Sequence, residues 1–192
     1  KEGSVLVDGK PRKASYPLTA GERLSVTLPE PEATEVLPEN IPLDILYEDK
    51  DVIVINKPKG MVVHPAAGHT GGTLVNALLH HCKDSLSGIN GILRPGIVHR
   101  IDRDTTGVMI ACKNDRAHQC IAEQLKAHSI TRRYLALAQG RMQEEEGTVD
   151  APLGRDPENR KRMKSGMIGG KHAVTHYRVL ERFAAATYLE CR

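Results

Sequence analysis

The residue types best suited to chemistry lie between Val98 and Gly107, where the chain reads His99-Arg100-Ile101-Asp102-Arg103-Asp104-Thr105-Thr106. Carboxylates, guanidiniums, an imidazole and hydroxyls crowd into one short stretch with apolar runs on both sides. Such density between core strands is costly unless the groups pair with one another or face a cleft. A carboxylate placed there can act as a nucleophile or as a general base. Asp102 and Asp104 stand two residues apart, so on extended backbone they point the same way. A tight turn closed by a local Asp–Arg ion pair explains the same residues without any chemistry. Composition leaves both readings open.

The elements that must hold this stretch are legible on either side. Asp51-Val52-Ile53-Val54-Ile55-Asn56 is a near-continuous apolar strand stopped by Lys57-Pro58-Lys59-Gly60. Gly107-Val108-Met109-Ile110-Ala111-Cys112 is a second strand, leaving the polar stretch directly. A short helix is predicted over Leu74–His81, after a glycine-rich turn. A second helix, capped by Asn114 or Asp115, carries Ala117, Ile121 and Leu125 at a spacing of four. Tyr134–Gln139, Val174–Leu180 and Thr187–Cys191 read as further strands. Strands outnumber helices and do not alternate strictly with them. The expected class is therefore α+β, a largely antiparallel mixed sheet with flanking helices.

Near the start, Ser4–Val7 and Leu24–Leu28 read as short strands, with an Asp8-Gly9 turn after the first. Residues 1–30 are too few to bury much core alone. Residues 31–42 combine Pro31, Pro38 and Pro42 with acidic residues and read as a solvated, semi-extended linker. A second domain is expected over 43–192.

The 192 residues are 40% apolar and 27% charged, a globular composition. No apolar run reaches the roughly 18 residues of a membrane helix, and no signal-peptide pattern opens the chain, so a cytoplasmic protein without membrane contact is expected. The four cysteines form no CxxC pair. Neither Cys112, His118 and Cys120 nor His80, His81 and Cys82 has the paired spacing of a structural zinc site, and no metal is expected. The net charge of +3 hides a segregation: residues 1–30 carry +1, residues 31–50 carry −5, and residues 51–192 carry +7. A basic balance in the large C-terminal part is what a nucleic-acid binder tends to have. Arg155, Arg160, Lys161, Arg162, Lys164 and Lys171 gather in one glycine-containing stretch, read as a flexible hairpin touching nucleic-acid phosphates. Lys57 and Lys59 flank Pro58 and are two more candidate phosphate contacts.

Four collinear stretches resemble the RluA family of pseudouridine synthases over about residues 40–192. These are Asn56-Lys57-Pro58-Lys59-Gly60 with Val63-His64-Pro65, then His99–Gly107, then Ile130–Ala136, then Lys171–Tyr177. Residues 1–30 resemble the C-terminal half of an S4 RNA-binding domain. The resemblance implies an isomerase that converts uridine to pseudouridine, with large-subunit ribosomal RNA as the expected substrate. Asp102 matches the essential aspartate, Arg100 the arginine that helps hold the flipped-out nucleotide, and Tyr134 the active-site tyrosine. His99 is read as structural, hydrogen-bonded beneath the loop, and Asp104 as a capping or ion-pairing residue. No cofactor is required, and no protein partner is implied. The family carries a further basic motif beyond a strand like Thr187–Arg192, so a fragment of a longer product is expected. A non-catalytic S4-type RNA-binding or ribosome-assembly protein is the rival reading. A glycosidase-like enzyme using Asp102 and Asp104 is a third.

Overall fold

A computed structural model describes residues 5–13, 15–27, 36–66, 69–159 and 162–192. It divides into two compact units, Lys1–Gln119 and Cys120–Arg192. Every strand pairing among the described residues is antiparallel, and twelve strands accompany two helices. The α+β expectation is met.

The first unit opens with a three-stranded sheet. Strand β1 (Val5–Val7) turns through Asp8-Gly9 into β2 (Lys10–Pro11), and β3 (Leu24–Val26) pairs with β1 on its other side. The main sheet of this unit has the order β4-β5-β6, from β4 (Ile45–Glu48), β5 (Val52–Lys57) and β6 (Gly107–Cys112). Alternation along β5 sends Ile53 and Ile55 to one face, where both are fully buried with Met109 and Ala111 of β6. Helix α1 (Leu74–Cys82) packs Leu74, Val75 and Leu78 into the same cluster. Thr73 and Asn76 form a capping box at its start, satisfying two otherwise orphaned amides. Asn114 caps the second helix, α2 (Asp115–Lys126), by accepting the Ala117 amide at 2.9 Å. The division between units falls inside α2.

Over its described part, residues 36–42, the expected linker is mostly exposed but anchored at its start. Val36 is buried in the core cluster, Asn76 Nδ2 donates to Leu37 O at 2.8 Å, and Glu39 N donates to Asn76 O at 2.9 Å. One valine among prolines and acids is enough to dock the segment on α1, because Asn76 offers it a matching backbone partner. Strand β4 also escapes sequence reading.

The second unit holds a four-stranded sheet of order β7-β12-β11-β8, from β7 (Tyr134–Gln139), β8 (Glu146–Asp150), β11 (Val174–Arg182) and β12 (Ala186–Cys191). A separate hairpin joins β9 (Leu153–Arg155) to β10 (Met163–Ser165). Val179 and Leu189 are buried in this unit, as is Thr187, whose hydroxyl donates to Gly140 O and accepts the Met142 amide. No helix among the described residues is long and apolar enough to cross a membrane.

Candidate active site

The polar stretch lies where β5 ends and β6 begins, because Lys57 stands opposite Gly107 in the register. Several backbone bonds fix its course. Gly96 runs against β6: its φ is +71°, and a Cβ there would sit 2.8 Å from Cys112 O. Only glycine allows that approach. Cys112 N donates to Gly96 O at 2.9 Å, and Gly96 N donates to Ser87 O at 2.7 Å. His99 Nε2 accepts the Ile110 amide at 3.1 Å, so the ring braces the loop against β6 from below. Thr105 N donates to Asp102 O at 3.1 Å and Gly60 N to Arg103 O at 2.9 Å. The 58–61 turn and the Asp102 loop are thereby one structure.

Asp102 and Arg100 are both exposed on this loop. Among the described residues they form no salt bridge with each other. The loop's ion pair is instead Arg103–Asp104, at 3.4 Å with both side chains more than 60% exposed. That is the ion-pairing role expected for Asp104, and at such exposure it contributes little. Lys59 is exposed in the adjoining turn.

Lys57 differs from expectation. It has no exposed surface, and its ammonium donates to three backbone carbonyls, Met61 O at 2.8 Å and Pro58 O and Arg103 O at 3.0 Å. All three of its donors are engaged, so a phosphate contact is withdrawn. Burial pushes its pKa down, opposed by the nearby charges of Asp104 and Asp102.

His64 is a residue that sequence reasoning quoted but gave no role. It is buried, its Nδ1 has no hydrogen-bond partner among the described residues, and its pKa is lowered by burial and by the charges of Arg94 and Arg100. Its place in Val63-His64-Pro65 was the available signal.

Tyr134, Arg162 and Lys164 belong to the second unit. Tyr134 opens β7 opposite Cys191 and is 41% exposed. Lys164 faces Gly154 in the β9–β10 hairpin, where both it and Arg162 are exposed. Arg160 and Lys161 lie outside the described residues.

The model for the family described as RNA pseudouridylate synthase matches residues 51–192. The chain belongs to that family. The RluA-type resemblance of the four motifs is met by this match. The chain is 54% identical over 192 residues to the uncharacterized RNA pseudouridine synthase YlyB of Bacillus subtilis strain 168, covering all of this chain and 63% of that protein. It is 48% identical over 182 residues to ribosomal large subunit pseudouridine synthase D of Zymomonas mobilis, covering 94% of this chain and 57% of that one. The chain thus spans about three-fifths of the length of these curated relatives. The solved structure of human RNA pseudouridylate synthase domain containing 1 shares the fold, with a TM-score of 0.60 at 22% identity over 84% of this chain and 61% of that one.

Proposed function

We propose that the protein isomerises uridine to pseudouridine in RNA, with Asp102 as the catalytic carboxylate and large-subunit ribosomal RNA as the target. The observation that carries this reading is an exposed Asp102 on a loop whose backbone is tied down on both sides, in a chain of this family. Relatives named ribosomal large subunit pseudouridine synthase D support the RNA class. The reaction breaks the bond from N1 of uracil to C1′ of ribose and makes one from C5 to C1′. The C5 proton is lost and N1 gains one, so mass is unchanged. A carboxylate serves this chemistry by adding to the base or ribose, or by removing a ribose proton. The base must leave the stack to be reached, and water must be kept out while the detached ring turns.

In this reading Arg100 holds the extruded nucleotide, and Tyr134 stacks on the base while its hydroxyl donates or accepts a hydrogen bond. Lys59, Arg162 and Lys164 meet phosphates, joined by Arg160 and Lys161. Residues 1–30 act as part of an S4-type RNA-binding module, linked through 31–42 to a catalytic domain over 43–192. The setting is the cytoplasm.

The test uses the complete gene product on large-subunit ribosomal RNA transcripts. Wild type should form pseudouridine, and Asp102→Asn should lower turnover by about 10³-fold or more. Substantial activity in that variant removes Asp102 from the centre. Tight RNA binding with no pseudouridine favours the rival RNA-binding protein. Release of free uracil favours the glycosidase-like reading. Arg100→Ala and Tyr134→Phe should lower turnover more than affinity.

A further inference from the structure

Between α1 and the Asp102 loop the chain makes a compact excursion over residues 87–97. Its ends meet, since Gly96 N donates to Ser87 O at 2.7 Å. Both ends are fixed to β6, where Ser87 N donates to Cys112 O at 3.1 Å and Cys112 N to Gly96 O at 2.9 Å. Inside the loop, Gly91 N donates to Gly88 O, Arg94 N to Gly91 O and Ile97 N to Arg94 O. Asn90 Nδ2 crosses it to Ile97 O at 2.7 Å. Loops closed by their own bonds frequently carry function. This frame needs no apolar tip, yet the tip is apolar. Ile92 is 79% exposed, and Ile89 and Leu93 are exposed beside it. A fixed frame that keeps large aliphatic side chains together in water marks a contact surface.

Arg94 closes the tip. It is exposed and forms no salt bridge among the described residues. Arg100, a few residues further on and next to the Asp102 loop, is exposed and unpaired in the same way. Burial, then the charges of Arg94 and Arg100, lower the pKa of His64, so both cations lie near one buried ring. A strand of RNA offers both things such a tip can use, base faces for the aliphatic side chains and a phosphate for the guanidinium. When one nucleotide leaves the stack, the faces of its neighbours are bared, and apolar side chains can fill the gap.

We propose that the tip of the 87–97 loop is an RNA contact: Ile92 and Leu93 lie against the bases bared beside the extruded uridine, and Arg94 takes a phosphate of the same strand. This rests on the reading of the Asp102 loop as the place where uridine is extruded.

The test is equilibrium binding of large-subunit ribosomal RNA transcripts by the complete gene product, with the melting temperature of the free protein measured alongside. Ile92→Ser with Leu93→Ser should weaken binding about tenfold and leave the slope of log K against log salt as it is. The melting temperature should stay within about 2 °C of wild type, as exposed positions allow. Arg94→Ala should weaken binding and make the slope shallower by about 1. Ile92→Trp puts a ring at the tip; it should tighten binding about threefold, and added RNA should quench the new fluorescence. Wild-type affinity in the double serine variant, or no quenching in Ile92→Trp, overturns the proposal. A melting temperature lowered beyond that range in the double variant means that another part of the protein covers the tip, and overturns it too. An unchanged slope in Arg94→Ala overturns the phosphate contact. Weaker binding by the tip variants of a protein that forms no pseudouridine would remove the catalytic reading and keep the RNA contact. Pseudouridine formation with wild-type affinity in those variants would remove the contact alone.

Discussion

The Asp102 loop and the β9–β10 hairpin are both short, polar and rich in cations, yet their polar groups are used in opposite ways. In the loop, His99 accepts an amide of β6, Arg103 O holds two donors and Asp102 O a third, with Ile53, Ile55 and Met109 buried in the sheet beneath. In the hairpin, Arg162 and Lys164 stand exposed and form no salt bridge among the described residues. Ile168 close by is fully exposed. A group that must meet one atom needs a backbone that cannot shift. Charges that follow a phosphate chain gain from reach and from solvent contact. On the proposed function, the first region serves the chemistry and the second the attraction of RNA.

The sharpest way to break this contrast is to weaken the support under the loop. Ile55→Ala removes a side chain with no exposed surface from β5, and should cost about 2–5 kcal/mol in chemical denaturation. Leu137→Ala on β7, at a position 70% exposed, should stay within about 0.5 kcal/mol. Equal losses at the two sites would mean that the second sheet is as tightly covered as the first.

Next in size is the hairpin itself. Arg162→Ala combined with Lys164→Ala should weaken RNA binding about tenfold at moderate salt and make the slope of log K against log salt shallower by about 1–2. Asp102→Asn should leave that slope alone. A turnover defect at saturating RNA in the double variant would place the hairpin in the chemical step and erase the distinction.

Much of this division was legible in the sequence, for physical reasons that differ by element. β5 and β6 stand out because apolar side chains fill them almost continuously, α2 because its apolar spacing and its cap coincide, and α1 because it follows a glycine-rich turn. The loop stood out because polar groups are dense where apolar strands meet; Asp102 received its role from motif resemblance and not from spacing. Strands β8 and β9 were missed, since Glu146-Gly147-Thr148-Val149-Asp150 is mostly exposed and polar, and Leu153-Gly154-Arg155 is too short to show a period. The fate of Lys57 was invisible because a lysine beside a proline turn reads as surface. Its decisive partner is a backbone oxygen far along the chain, and backbone oxygens carry no residue-type signal.

A smaller effect follows from two buried imidazoles of the first unit. His64 has its pKa lowered by burial, then by Arg94 and Arg100; His118 has its lowered by burial, with Asp115 opposing. In the unfolded chain both titrate near about 6.5. Below that pH the unfolded state binds protons that the folded state refuses, so stability falls as pH drops from about 7 toward 5.5. Above about 7 neither contributes. His118→Gln should flatten the decline in melting temperature over that range. The hairpin strands and their turn contain no histidine, so the salt slope of RNA binding should hold steady across it.

The smallest expected effect tests the loop against itself. Asp104 and Asp102 are both exposed in the same loop, but the Asp104 carboxylate already lies 3.4 Å from the Arg103 guanidinium. Both side chains of that pair are mostly in solvent, where such contacts are screened and contribute little. Asp104→Asn should therefore change stability by no more than about 0.5 kcal/mol and leave turnover within about threefold of wild type. The Arg103 carbonyl keeps its two donors in that variant, so the backbone beside Asp102 should not move. A loss of turnover as large as that of Asp102→Asn, with Gly60 and Thr105 still protected from exchange, would show two carboxylates sharing the reaction. The loop would then owe its chemistry to a pair, and fastening one backbone position would no longer explain why it is built so differently from the hairpin.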